Sequence, residues 1–110
     1  MDTLETYRHA IEQILTEYAQ IPYAYGNIRR QAVFDRNGDH YLLLSLGWEQ
    51  RYIHGCVAHV DLINGKCWIQ QDGTEYGIAN ELTDHGVPPS DIVLGFRSPE
   101  VRPYSGFATN

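Results

Sequence analysis

The chain has 110 residues, 43% hydrophobic and 20% charged, which suits one folded domain able to bury a core without metals or disulfides and excludes a disordered chain. Its formal charge of -6 argues against an independent DNA-binding domain, because clustered Lys and Arg supply most nonspecific affinity for phosphates. Every cation except Lys66 is Arg, which favours planar pairing at structured contacts over a loose basic surface.

In chain order, the first element is a helix. Leu4, Tyr7, Ile11, Ile14, Leu15 and Tyr18 recur at steps of three and four, with Glu5, Arg8, Glu12 and Glu17 on the other side, which predicts an amphipathic helix over residues 4–19. Asp2 or Thr3 is the expected N-cap, and Pro22 stops the helix before Tyr23-Ala24-Tyr25-Gly26 leads into the sheet. The amino terminus lacks a basic start and an apolar run, no stretch approaches the ~18 apolar residues of a membrane span, and two cysteines are too few for a secreted framework. These features predict a cytoplasmic protein.

Two Asn-Gly pairs predict type I′ hairpin turns, whose central residues need positive φ. Asn37-Gly38 should join a strand over residues 29–34 to one over 40–46, and Asn64-Gly65 should join 51–63 to 66–71. A two-residue loop at Asn64-Gly65 sets Ile63 opposite Lys66, Leu62 opposite Cys67, Val60 opposite Ile69 and Ala58 opposite Gln71. One face then carries Cys56, Ala58, Val60, Leu62, Cys67 and Ile69, on which the helix should pack. The other carries Val57, His59 and Asp61 with Trp68, Gln70 and Asp72, a mixed surface.

Asp72-Gly73-Thr74-Glu75 has the spacing of an N-cap followed by a back-reaching Glu, with Ile78, Ala79 and Leu82 as the apolar stripe of a short helix. His85 and Gly86 stop it, reinforced by Pro88 and Pro89, and residues 92–96 form a last strand. The expected fold is α+β in a single domain over 1–110: a long N-terminal helix on a mainly antiparallel sheet of about five strands, with a short second helix before the last strand.

Candidate chemistry is sparse. His54 and Cys56 lie two residues apart on one strand face, in reach of a shared metal or a thiolate–imidazole pair, but zinc needs further ligands and His59 is expected on the opposite face. Cys67 lies too far along the ladder to bridge Cys56. Asp61, Asp72 and Glu75 surround the second hairpin as possible magnesium ligands, yet Asp72 and Glu75 are better explained as capping. Neither Ser45 nor Ser105 sits in a nucleophile elbow, and no phosphate loop is present. No cofactor or metal is expected, and the chain reads as no enzyme.

Residues 95–107 crowd Arg, Pro, Gly and aromatic residues without periodicity. In one reading Arg97 and Arg102 pair with acids such as Glu100 while Phe96, Val101, Tyr104 and Phe107 cover the sheet. In the other, Arg97, Arg102, Tyr104 and Phe107, with Trp68, face a partner, since Arg and aromatic residues are enriched at interface centres. Direct DNA contact through Arg29, Arg30 and Arg36 on the first hairpin is the alternative. Trp68, Tyr52 and Val57 are candidates for a homodimer face.

Several stretches together resemble a known family. Ile14-Leu15-Thr16-Glu17-Tyr18-Ala19, Tyr41-Leu42-Leu43-Leu44 leading to Gly47-Trp48, His54-Gly55-Cys56, Trp68-Ile69-Gln70-Gln71-Asp72-Gly73-Thr74-Glu75 and Val93-Leu94-Gly95-Phe96-Arg97-Ser98-Pro99-Glu100-Val101-Arg102 resemble, in order and spacing, the XisI family, the fdxN element excision controlling factors of cyanobacteria. The resemblance spans nearly the whole chain. It implies a noncatalytic accessory role in the developmentally programmed removal of a DNA element in heterocysts, where a separate site-specific recombinase exchanges strands. It further implies a second small protein, XisH, of nuclease-like fold, as the partner, and it supplies no catalytic residues to carry over.

Overall fold

The computed structural model describes residues 2–21 and 27–110, so the predicted roles of Pro22 and of residues 23–26 lie outside the described residues. Helix α1 spans Thr3–Ala19, and its N-cap is Asp2, whose Oδ1 accepts from the Glu5 amide at 2.8 Å. Tyr7, Ile11, Ile14 and Leu15 of the predicted stripe are buried, joined by Ala10, while Tyr18 is partly buried and Leu4, in the first turn, is exposed.

Five strands follow in the order β1 (Asn27–Asp35), β2 (His40–Glu49), β3 (Arg51–Ile63), β4 (Lys66–Asp72) and β5 (Ile92–Leu94). The first four pair antiparallel with their neighbours, and β5 pairs parallel with β4, Cys67 opposite Ile92 and Ile69 opposite Leu94. Helix α1 covers one face, where it shares a core with Tyr41, Leu43, Ala58, Val60, Cys67 and Ile69. Tyr7 donates its hydroxyl to the Asp91 carboxylate just ahead of β5, so one helix residue ties the first element to the last strand. Burial pushes the Tyr7 phenol up to about 12, with the Asp91 carboxylate adding to it.

The two hairpins differ from each other. Asn64 and Gly65 have φ of 51° and 79°, and Ile63 opposes Lys66 across the expected two-residue turn. The first hairpin is not of this type. Asp35 opposes His40, leaving residues 36–39 as the loop, and the residue with positive φ is Asp39, at 58°. Asp35 Oδ1 accepts from the amides of Asn37 and Gly38, at 3.1 and 3.2 Å, so a local side chain replaces the turn hydrogen bonding that Asn37-Gly38 was expected to make. Asp39 is in turn held by Arg8 at 2.8 and 3.1 Å and by the Tyr41 hydroxyl at 2.9 Å.

Two β-bulges alter the expected faces. Leu43 opposes Ala58 but Leu44 opposes Cys56, so Val57 is an extra residue; Val60 opposes Ile69 but His59 opposes Gln71, so Gln70 is another. Val57 therefore packs against the core, and Cys56 moves to the uncovered face beside Leu44. Ala58 opposes Asp72, not Gln71. The second bulge lets Asp72 reach helix α2, which spans Ile78–Asp84. Asp72 Oδ2 accepts from the Ile78 amide at 2.8 Å and Oδ1 from Thr74, so Asp72 supports the helix start from six residues away, while the N-cap position belongs to Gly77. The predicted capping box with Glu75 is thus replaced by a longer reach from Asp72.

Helix α2 ends as predicted. Gly86 has φ of 94°, its amide bonds Thr83 O, and the Val87 amide bonds Leu82 O, a glycine-centred cap closed by the buried Leu82 and Val87 side chains.

Candidate functional site

The segment 95–107 is built around Arg102. Its guanidinium donates to Arg97 O at 3.1 Å and to Leu94 O, Gly95 O and Thr109 O, each at 3.4 Å. The same group lies 5.2 Å from the centre of the Trp68 ring. Five donors in a planar fork suit this role, because carbonyls converging from several directions can share one side chain. Arg102 thus binds backbone carbonyls and an aromatic face, not Glu100. Downstream, the Ala108 amide bonds Ile92 O at 2.8 Å, returning the chain to the edge of β5. Gly95 must be small here: a Cβ would lie 2.7 Å from Gln70 Oε1 and 3.1 Å from Ile69 O.

The predicted contact residues divide accordingly. Arg102 and Trp68 hold the loop together, and Phe107 packs against the core. Tyr104 is 88% exposed at the end of a 3-10 turn over Arg102–Tyr104, and exposed Arg97 lies 5.1 Å from the Phe96 ring centre. Residues 95–107 both close the sheet and present Arg97 and Tyr104 outward.

The sheet face opposite α1 carries a second group of outward residues. Strand alternation puts Val33, Leu42, Leu44 and Leu46 there, and near its end the Trp48 and Tyr52 rings meet at a 53° tilt with centres 5.2 Å apart, while His54 stacks on Tyr52 at 6.4 Å. Trp48 and Tyr52 are 63% and 51% exposed. Of the residues suggested for a dimer face, only Tyr52 is open in this way, since Trp68 lies against Arg102 and Val57 packs inward.

The basic residues of the first hairpin do not share one surface. Arg29 pairs opposite Leu46 on the uncovered face, and Arg30 opposite the buried Ser45 on the helix side. Arg36 binds α1, its guanidinium 2.8 Å from each Glu12 oxygen and 2.6 Å from Glu5.

His59 lies on the uncovered face as expected, and the bulge at Val57 brings His54 and Cys56, expected on the helix-covered face, to that side as well. Both cysteines are free thiols. The Cys56 thiol donates to Ala58 O at 3.2 Å and burial pushes it up, while deeper burial pushes Cys67 up to about 12, so neither is poised as a thiolate nucleophile.

Sequence reasoning missed one constellation. His40 Nδ1 and His59 Nε2 each lie 2.8 Å from Asp61 Oδ1. Burial pushes the Asp61 carboxyl upward, but the hydrogen bonds and charge of the two imidazoles outweigh it and hold the group below its ordinary value. The His40 imidazole is raised chiefly by its bond to Asp61. Among the described residues this is the one group of three His, Cys, Asp or Glu side chains whose ligand atoms lie within 4.8 Å of one another. The i, i+2 spacing of His59 and Asp61 was visible in the sequence, but the opposition of His40 and Asp61 needed the β2–β3 register.

Comparison with known proteins completes the description. The family described as XisI protein matches residues 1–109. The crystal structure of the fdxN element excision controlling factor XisI from Anabaena variabilis is similar over 99% of this chain and 100% of that one, at 32% identity and a TM-score of 0.85. A second crystal structure, of a XisI-like protein from the same organism, matches 97% of this chain and 98% of that one, also at 32% identity and a TM-score of 0.85. No curated protein matches.

Proposed function

The chain belongs to the XisI family, and from that premise we propose that it is a noncatalytic controlling factor for excision of an fdxN-type DNA element, acting through protein contacts. The whole-chain match and the naming of its 32%-identical structural relative support the excision role. The partner is an XisH-like protein, the recombinase or a second copy of the chain, in the cytoplasm. The observation that favours protein over DNA is the placement of charge and aromatic surface. Arg29, Arg30 and Arg36 are dispersed on a chain of net charge -6, whereas Trp48, Tyr52 and Tyr104 stand open to solvent. A noncatalytic role is supported by the raised thiols and by Asp72, whose oxygens are engaged in supporting α2.

Within this reading Arg97 and Tyr104 touch the partner, while Arg102 and Trp68 hold the loop that presents them and Phe107 anchors it. Co-expression with an XisH-like protein and with the recombinase, followed by affinity capture, tests it. A complex is expected, weakened at least about tenfold by Arg97→Ala with Tyr104→Ala, the loss typical of central interface side chains. A folded double variant that binds unchanged removes the loop as the contact, and absence of any complex overturns the reading.

A further inference from the structure

The His40, His59 and Asp61 side chains meet on the uncovered sheet face. His40 opposes Asp61 directly across β2 and β3, and His59 precedes Asp61 by two residues on the same face. The imidazoles approach one oxygen, Oδ1, while Asp61 Oδ2 accepts from Gln70 Nε2 at 3.4 Å. The two rings stand edge to face with centres 6.5 Å apart, so their nitrogens converge without the rings stacking.

An ordinary surface ion pair does not need this arrangement. A carboxylate oxygen can accept two hydrogen bonds, and here both places on Oδ1 are taken by imidazoles, the two nitrogen ligands a metal site needs, while its neighbour Oδ2 is held by an amide. Burial is also graded. The Asp61 side chain is only 12% exposed, whereas that of His40 is 55% exposed, which gives an anchored anionic ligand and an open side for entry. Both strands are interior to the sheet, so the spacing of the donors is set by backbone pairing and not by a loop.

We propose that His40 Nδ1, His59 Nε2 and Asp61 Oδ1 bind a divalent transition-metal ion of the Zn²⁺ type, with Gln70 orienting the carboxylate. Ligand atoms about 2.1 Å from zinc stand about 3.0 Å apart at a right angle and about 3.4 Å apart in a tetrahedron. The two 2.8 Å separations need only a small opening, which the exposed His40 ring can provide by rotation. The ion takes the place of the hydrogens between the imidazoles and Oδ1: a protonated ring releases one proton to solvent, and a neutral ring carries its proton on the nitrogen facing away, Nε2 of His40 or Nδ1 of His59. Imidazole donors select Zn²⁺, Ni²⁺, Co²⁺ or Cu²⁺ over Mg²⁺ and Ca²⁺, and three protein ligands leave room for water. Gln70 acts as the outer partner that fixes which carboxylate oxygen faces the ion.

Calorimetric titration of the full chain, treated with chelator and then dialysed, tests the site with zinc chloride and magnesium chloride as probes. One Zn²⁺ per chain is expected and no Mg²⁺. Zinc affinity should fall at least about tenfold in His40→Ala and in His59→Ala, and about tenfold in Gln70→Ala, the usual range for an outer partner. Cys56→Ser should bind like the unaltered chain. Zinc uptake that is absent at millimolar metal, or unchanged in the folded His40→Ala, His59→Ala double variant, overturns the site. The absorption spectrum of the unaltered protein with Co²⁺ provides a reading free of any folding defect. Nitrogen and oxygen ligation gives ligand-field bands alone, and a thiolate charge-transfer band would move the metal to cysteine and refute the assignment.

Discussion

The two faces of the sheet teach different things about the same strands. Under α1, Leu15, Tyr41, Leu43, Val60 and Ile69 are fully buried, and the volume they fill comes from both layers. On the opposite face Trp48 and Tyr52 are more than half exposed, and a buried Asp61 lies beneath two histidines. Stability is concentrated on the first face, which leaves the second free to carry recognition. Paired truncations test that contrast most severely. Leu43→Ala should lower the unfolding free energy by about 2–5 kcal/mol, because it empties space that the helix and sheet cannot refill. Trp48→Ala should change it by less than about 0.5 kcal/mol, as for other exposed positions. Urea unfolding of both variants makes the comparison, and equal losses would erase the distinction.

Arg102 stands between these extremes, a charged residue on the uncovered side that nevertheless performs structural work. Arg102→Ala takes donors from four carbonyls and a cation from the Trp68 face, at a cost of about 1–3 kcal/mol. Amide hydrogen exchange over residues 95–107 should rise well before the core strands respond. Arg102→Lys should not restore protection, since an ammonium cannot reproduce the guanidinium fork. Protection equal to that of the unaltered chain in Arg102→Lys would show that charge near Trp68, not the carbonyl network, holds the loop.

What the sequence disclosed depended on whether a signal was local. The α1 stripe needs only a period of 3.6, and Asn64-Gly65 defines its own turn, so both could be read from neighbouring residues. Asn37-Gly38 looked equally local but was overridden by Asp35, which captures the two amides, and by the Arg8 and Tyr41 side chains that hold Asp39. The bulges at Val57 and Gln70 interrupt no hydrophobic run and carry no glycine. Strict alternation therefore carried Cys56 to the wrong face and concealed the reach of Asp72 to α2. The aromatic and arginine cluster of the tail was plain in composition, but its carbonyl acceptors are main-chain groups that no side-chain pattern reveals. The metal-ligating trio was hidden for a related reason, because His40 comes from another strand.

The smallest expected effect concerns the seam between the first hairpin and α1, where charge supplements the buried face. Arg36 bridges Glu5 and Glu12, and its hydrogen bond to Glu5 is the main influence holding that carboxyl below its ordinary 4.5, against an opposing contribution from burial. A carboxyl with a depressed folded-state pKa contributes stability above its unfolded value and loses it as pH falls through the folded value. The part of the stability difference between the unaltered chain and Arg36→Ala that comes from Glu5 should therefore be present at neutral pH, shrink as acid is added below 4.5, and vanish once Glu5 is protonated in both states. It should also shrink in high salt, since the ion pairs are partly exposed. Urea midpoints at neutral and acidic pH, with and without salt, measure the change. A difference that stays constant across both titrations would assign the role of Arg36 to packing of its aliphatic stem against α1 and would extend the apolar inner face to its rim.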